Sequence, residues 1–303
     1  MQSIKQSPGA ANLTRLLPVF SLLLSATLWG LFWYPLRLLE QGGLSGLWST
    51  LLIYLGTLPV LLYLLHGRYA EFRKAPWLLA GLALASGWCN VAFVLAVLDG
   101  NIVRVLLLFY LSPFWATLIG WWFLGERIHP GTLVVLALAL GGAVIMLWRP
   151  QAGLPWPEGH ADWLALTSGL SFAVANAFVR TAQACSMQTR TAVSWLGVTL
   201  VALLLIMVLR VPLGDAQQTV LLVAPLIGML GISVMTLAVV YGVAHMPIHR
   251  SSIILLFEIV VGAVSAQLLT DEVIRPQEWI GGSLVILAAF LSARKQRKPG
   301  EQG

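Results

Sequence analysis

Glu258 is the side chain in this sequence most suited to chemistry. It interrupts the apolar run IILLFEIVVGAV, and no other acidic residue lies comparably deep in an apolar stretch. Carrying an ionised side chain to a bilayer centre costs about 2.5–3.5 kcal/mol on insertion scales, so such a group is expected to face a cavity or a partner. There it can carry a proton or balance a cationic group on a solute. The simpler alternative is a protonated acid bonded to nearby backbone. Arg250 stands eight residues earlier, which on one helix is about 12 Å along the axis and about 80° around it. That is too far for an ion pair. The two side chains can instead hold opposite ends of one zwitterion, because the planar guanidinium fork matches a carboxylate. Arg104 and Arg250 have a plainer reading as well, in which each snorkels to a membrane surface and helps to set topology.

Other residues offer contacts rather than reactivity. Trp29 and Trp33 share one helix face beside Pro35, and with Trp88 they offer flat apolar walls, a seat for a cation, or ordinary packing. Asn90 and Asn176 are deep amides, suited to gluing helices together or to binding a ligand. Asn176 shares a stripe with Phe172 and Arg180. Glu126 and Glu272 each close an apolar run just before Pro130 and Pro276, where an acid favours the start of the following helix. The chain has no H-E-x-x-H, no G-x-S-x-G and no acidic pair for a metal diphosphate, so no intramembrane enzyme is expected. Its two cysteines, Cys89 and Cys185, are isolated, and no metal or cofactor is implied.

The elements that must position these residues are apolar and long. Of 303 residues 58% are hydrophobic and only 10% are charged, with mean hydropathy +0.85. A soluble domain carries about 25% charged residues. The chain is therefore expected in lipid, as an all-α membrane protein. Runs of the length that crosses a bilayer as helix recur at 16–37, 43–65, 76–98, 101–124, 130–148, 160–181, 189–211, 219–243, 248–270 and 276–294. No alternation suggests a membrane barrel. Basic residues fall mostly on one side of this arrangement (Lys5, Arg15, Arg68, Arg73, Lys74, Arg127, Arg180, Arg190, Arg250, Arg294, Lys295, Arg297 and Lys298), with Arg37, Arg104, Arg149, Arg210 and Arg275 on the other. That asymmetry predicts cytoplasmic N- and C-termini. It also makes the basic tail at 295–303 a topology anchor, not a nucleic-acid patch, despite a net charge of +6. The first apolar run is too long for a cleavable signal.

The sequence is also written twice. Arg104, Glu126 and Pro130 recur as Arg250, Glu272 and Pro276 at one offset of 146 residues. SATLWGLFWYPLR aligns with SGLSFAVANAFVR at a similar offset, across the Pro- and Gly-rich seam at 149–159. Five spans per half is an odd number, so the second half enters from the opposite side. Inverted repeats are a route to alternating access.

These residues carry a family resemblance. LWG at 28–30, SPFWATLIGWWFLGERI at 112–128, its copy FEIVVGAVSAQLLTDEVI at 257–274 and the following glycine pairs resemble the drug/metabolite transporter superfamily, in its ten-span branch with two EamA-type halves. The second copy departs where Ile259 replaces Pro113 and Thr270-Asp271 replaces Leu-Gly. The resemblance implies repeats at 12–148 and 160–294, and a central cavity walled by the first, third, fourth, sixth, eighth and ninth spans. It further implies export of amino acids or related compounds from a bacterium through its inner membrane. A cavity offering Glu258, Arg250, Asn176 and tryptophans suits a zwitterion, including amino-acid-derived molecules such as opine-type metallophores, with protons as the expected coupling ion. An importer or a multidrug efflux protein of the same fold would share every motif.

Overall fold

The computed structural model describes residues 8–123, 130–148, 157, 159–245, 251, 254–255, 257–271 and 274–295. Among these residues the protein is helical, with no strand. The helices are α1 (Pro8–Leu31), α2 (Trp33–Gln41), α3 (Gly46–Gly56), α4 (Leu58–Leu65), α5 (Pro76–Asp99), α6 (Ile102–Phe109), α7 (Ser112–Phe123), α8 (Pro130–Leu147), α9 (His160–Thr181), α10 (Met187–Leu209), α11 (Gln218–Leu226), α12 (Ser233–Ala244), α13 (Phe257–Leu269) and α14 (Pro276–Lys295). A short 3₁₀ turn covers Tyr69–Arg73, and a π segment, Ile227–Ile232, joins α11 to α12. Six stretches among the described residues are long and apolar enough to cross a membrane, and a seventh follows if the bent pair α3–α4 is one span.

Proline explains where these spans break. Pro35 has no N–H to give the carbonyl of Leu31, and α1 ends there. Pro113 likewise leaves the carbonyl of Phe109 without its helical donor, and α6 ends there. Pro59 opens α4 after a 46° bend, and Pro225 precedes the π segment. Pro130 and Pro276 stand at the first positions of α8 and α14, where the missing N–H costs nothing. Glu278 accepts the backbone N–H of Arg275 at 2.9 Å, so an acid does satisfy this helix start. Glu126 and Glu272, expected to do so, lie outside the described residues.

The packing repeats when the halves are exchanged. Helix α5 packs on α9 as α1 packs on α12, and α6–α7 pack on α9 as α13 packs on α1. Likewise α5 packs on α10 as α3 packs on α11 and the π segment, while α8 and α14, counterparts of each other, pack together. Small residues permit these crossings: a Cβ on Gly87 would lie 2.6 Å from the Gly197 carbonyl oxygen, and one on Gly142 would lie 2.6 Å from that of Gly281. Gly141, beside Gly142, faces open space.

Loops that the charge pattern assigns to one side meet at one end of the bundle. At the end bearing Arg37, Gln217 donates its backbone N–H to the Gly42 carbonyl at 3.0 Å, and Trp48 Nε1 donates to the Val211 carbonyl at 3.1 Å. At the other end Glu71 clasps the start of α10. Its carboxylate accepts the Ser186 N–H at 2.7 Å, and Cys185 Sγ donates to its carbonyl at 3.4 Å. An anion at a helix N-terminus is favoured by the orphan N–H groups and the helix dipole. The Ser186 backbone N–H, followed by the Thr189 and Ser186 hydroxyls, holds the Glu71 carboxyl down at about 2, against an ordinary 4.5. The folded form therefore binds this proton less readily than the unfolded form, and the charge stabilises the fold above pH 4.5. The stability difference between wild type and Glu71→Gln is expected to be constant from neutral pH down to about 4.5, and to fade as pH drops through about 2. Thermal unfolding of both proteins across that range checks it; a difference independent of pH would remove the charge from the account.

Candidate functional site

Glu258 sits in the first turn of α13, half-buried. Its side chain is hydrogen-bonded by Tyr110, which stands at the C-terminal cap of α6, in the break before α7. The proline-induced break in the first half thus supplies the partner for the acid of the second half. A third wall comes from α1. A Cβ on Gly30 would lie 2.6 Å from the Glu258 carbonyl oxygen, so the glycine of the LWG motif is what lets α1 approach this turn.

Aromatic rings surround the same break. Phe109 meets Tyr110 at 5.7 Å between centroids, Phe93 at 5.2 Å and Phe172 at 5.4 Å, in edge-on or tilted arrangements. Phe109 lies close to α9 because Gly169 leaves room: a Cβ there would stand 2.7 Å from the Phe109 carbonyl oxygen. The result is one acidic group, one hydroxyl and four aromatic rings at the junction of α1, α5, α6, α9 and α13. Such a set can hold or release a proton and can bind an apolar group beside it.

The other sequence candidates are distributed differently. Arg250 lies outside the described residues. Arg104, a candidate for a membrane anchor or a ligand contact, has a protein partner in this structure. It is only 9% exposed, and its fork grips Asp162 in the first turn of α9, with Nε to Oδ1 at 2.8 Å and Nη2 to Oδ2 at 2.7 Å. Asn90 accepts from the Tyr54 hydroxyl at 2.7 Å and donates to the Ser86 carbonyl at 3.0 Å, which ties α3 to α5. Trp33 is 2% exposed and donates Nε1 to Ser265 Oγ at 3.0 Å, so it packs α2 on α13. Trp29 is half-buried with its ring edge-on to Phe32 at 5.6 Å, and Trp88 is 37% exposed on α5. Asn176 is exposed on α9 together with Phe172 and Arg180, the stripe read from the sequence.

Sequence reasoning missed Tyr110, Asp162 and Ser265. The repeat held a signal for the first of them. Subtracting 146 from Glu258 gives Ser112, at the start of α7 and two residues from Tyr110. Equivalent positions near a pseudo-twofold axis tend to meet.

The comparisons agree with this architecture. Over 203 residues the chain is 26% identical to an uncharacterised transporter of Pseudomonas aeruginosa, a match spanning 63% of each chain. The chain thus covers less than two thirds of that relative's length. A protein solved by crystallography has the same fold, with a TM-score of 0.59 at 16% identity, covering 93% of this chain and 99% of that one. The model of the EamA-like transporter family matches twice, at residues 16–148 and 160–294. With the model of that family matched once in each half, the chain belongs to the EamA-like transporter family.

Proposed function

We propose that this protein is a secondary active exporter of an amino-acid-like metabolite, driven by protons through Glu258. In this reading ten spans form two inverted halves in a bacterial inner membrane, with both termini cytoplasmic. The halves exchange conformations, which turns a central site from one side of the membrane to the other. Glu258 carries the proposal: it is an acid within an apolar run, with a hydroxyl partner from the opposite half. Two arrangements of the α6–α7 break give that acid two environments, and so two proton affinities. The aromatic rings beside it favour a solute with an apolar part. Its carboxylate would meet Arg250 in the binding-competent state, while Glu258 carries the proton.

The experiment is untargeted mass spectrometry of cells and medium, comparing a strain that expresses the chain with one that lacks it. The expected result is a zwitterionic compound that accumulates in the medium only when the protein is present. Selective depletion of a compound from the medium would make the protein an importer. Equal pools in media supplied with amino acids and peptides would sink the reading.

A further inference from the structure

The corner between α9 and α10, at the Glu71 end of the bundle, carries a cation without a counter-ion. Arg190 stands at the end of the first turn of α10, half-buried. Its Nη1 donates to the Val179 carbonyl near the end of α9. Its Nε is buried and has no acceptor. Among the described residues no carboxylate lies within ion-pair distance of it. Glu71, the acid of this corner, commits its carboxylate to the Ser186 N–H instead.

Other basic groups gather at the same place. Phe72 and Ala75 pack in one apolar cluster with Phe178, Val179 and Val193. That packing brings the exposed Arg73 and Lys74 to the corner where Arg180, also exposed, ends α9. Trp77 at the start of α5 and Tyr69 in the preceding turn are both strongly exposed, as side chains at headgroup level are.

A half-buried charge without a partner is costly. A guanidinium delocalises its charge over three nitrogens, so an anion beside any of them relieves the whole group. At the first turn of a membrane helix the abundant anion is lipid phosphate, and basic pockets between such helices favour anionic headgroups. We infer that this corner binds the phosphodiester of an anionic phospholipid, with Arg190 as the group that fixes it and Arg73, Lys74 and Arg180 as the surrounding field. Guanidinium–phosphate pairing gives geometry as well as attraction. The assignment rests on the chain's place in a membrane, and on neither the solute nor Glu258.

The test is native mass spectrometry of the full chain, released from mixed micelles with equal phosphatidylglycerol and phosphatidylethanolamine. Each basic group near a membrane surface contributes about fivefold. Four cations less the Glu71 carboxylate should therefore give the wild type a preference for phosphatidylglycerol of about a hundredfold. Arg73→Gln removes one charge from the rim and should reduce that preference by no more than about fivefold. Arg190→Gln removes the same charge together with the inward-held donors, and should reduce it more than about tenfold. Equal losses in the two variants would leave only diffuse charge and overturn the site, as would a wild type that retains both lipids alike. A second measurement needs no variant. Phosphatidylglycerol should raise the Tm of the wild type in detergent where phosphatidylethanolamine does not, and inorganic phosphate should not displace it. No difference between the lipids would again remove the site; displacement by inorganic phosphate would make it a site for a free anion and overturn the lipid assignment.

Discussion

Asp162→Asn should destabilise the protein by about 3–5 kcal/mol, because it leaves the Arg104 guanidinium buried without its counter-charge. The pair is bidentate at 2.7–2.8 Å and both residues are under one-tenth exposed, so neither solvent nor a lipid headgroup can replace the lost carboxylate cheaply. Arg104→Ala is expected to cost somewhat less, because the Asp162 it strands keeps its favourable place in the first turn of α9. The double substitution Arg104→Met with Asp162→Leu should recover most of the loss, since removing both charges also removes both desolvation costs. Denaturant unfolding in a fixed detergent gives the four corners of this cycle. If the single variants lose less than about 1 kcal/mol, the pair behaves as a surface ion pair and its burial is not decisive. The pair joins the start of α6 in the first half to the start of α9 in the second, so its loss should loosen the contact between halves before it unfolds either one.

How much of this was legible in the sequence depends on the range of the interaction. Breaks at Leu31 and Phe109 follow from Pro35 and Pro113 within the same turn, and helix starts at Pro130 and Pro276 are equally local. The repeat at offset 146 foretold the exchange pattern of the packing, because equivalent segments must bury equivalent faces. Glu258 was legible as an expensive acid. Its partner Tyr110 was legible only as far as the offset of 146, which brings Glu258 to Ser112, two residues away; nothing local links a phenol at a helix end to an acid that far along the chain. The same holds for Arg104, whose ending was read as a membrane anchor because Asp162 looks in sequence like an ordinary first-turn acid. Asn90 shows the opposite outcome, since the expectation of interhelical glue needed only that a deep amide find some partner, and Tyr54 provides it. Composition identifies which groups must be satisfied, and tertiary packing decides by whom.

Glu258→Gln is expected to uncouple transport from the pH gradient while leaving solute binding in place. Gln has nearly the same shape and keeps a side-chain oxygen able to accept from Tyr110, so the first turn of α13 and its packing on Gly30 should persist. What it cannot do is change charge. A pH step of one unit supplies about 1.4 kcal/mol per proton, enough to hold a tenfold solute gradient in a one-for-one exchange. Proteoliposomes of wild type should therefore build up to about a tenfold gradient per pH unit, whereas the variant should equilibrate the solute with no dependence on the imposed gradient. Its Kd, measured by binding to the detergent-solubilised protein, should stay within about threefold, a difference of less than 1 kcal/mol. Unchanged coupling would assign the acid to structure, as a protonated group holding the α6–α7 break against α13, and the proton path would have to lie elsewhere. Loss of binding together with loss of coupling would instead make Glu258 a direct ligand for a cationic group on the solute. The two roles are separable because a ligand is needed at every pH, but a carrier only when a gradient drives the cycle.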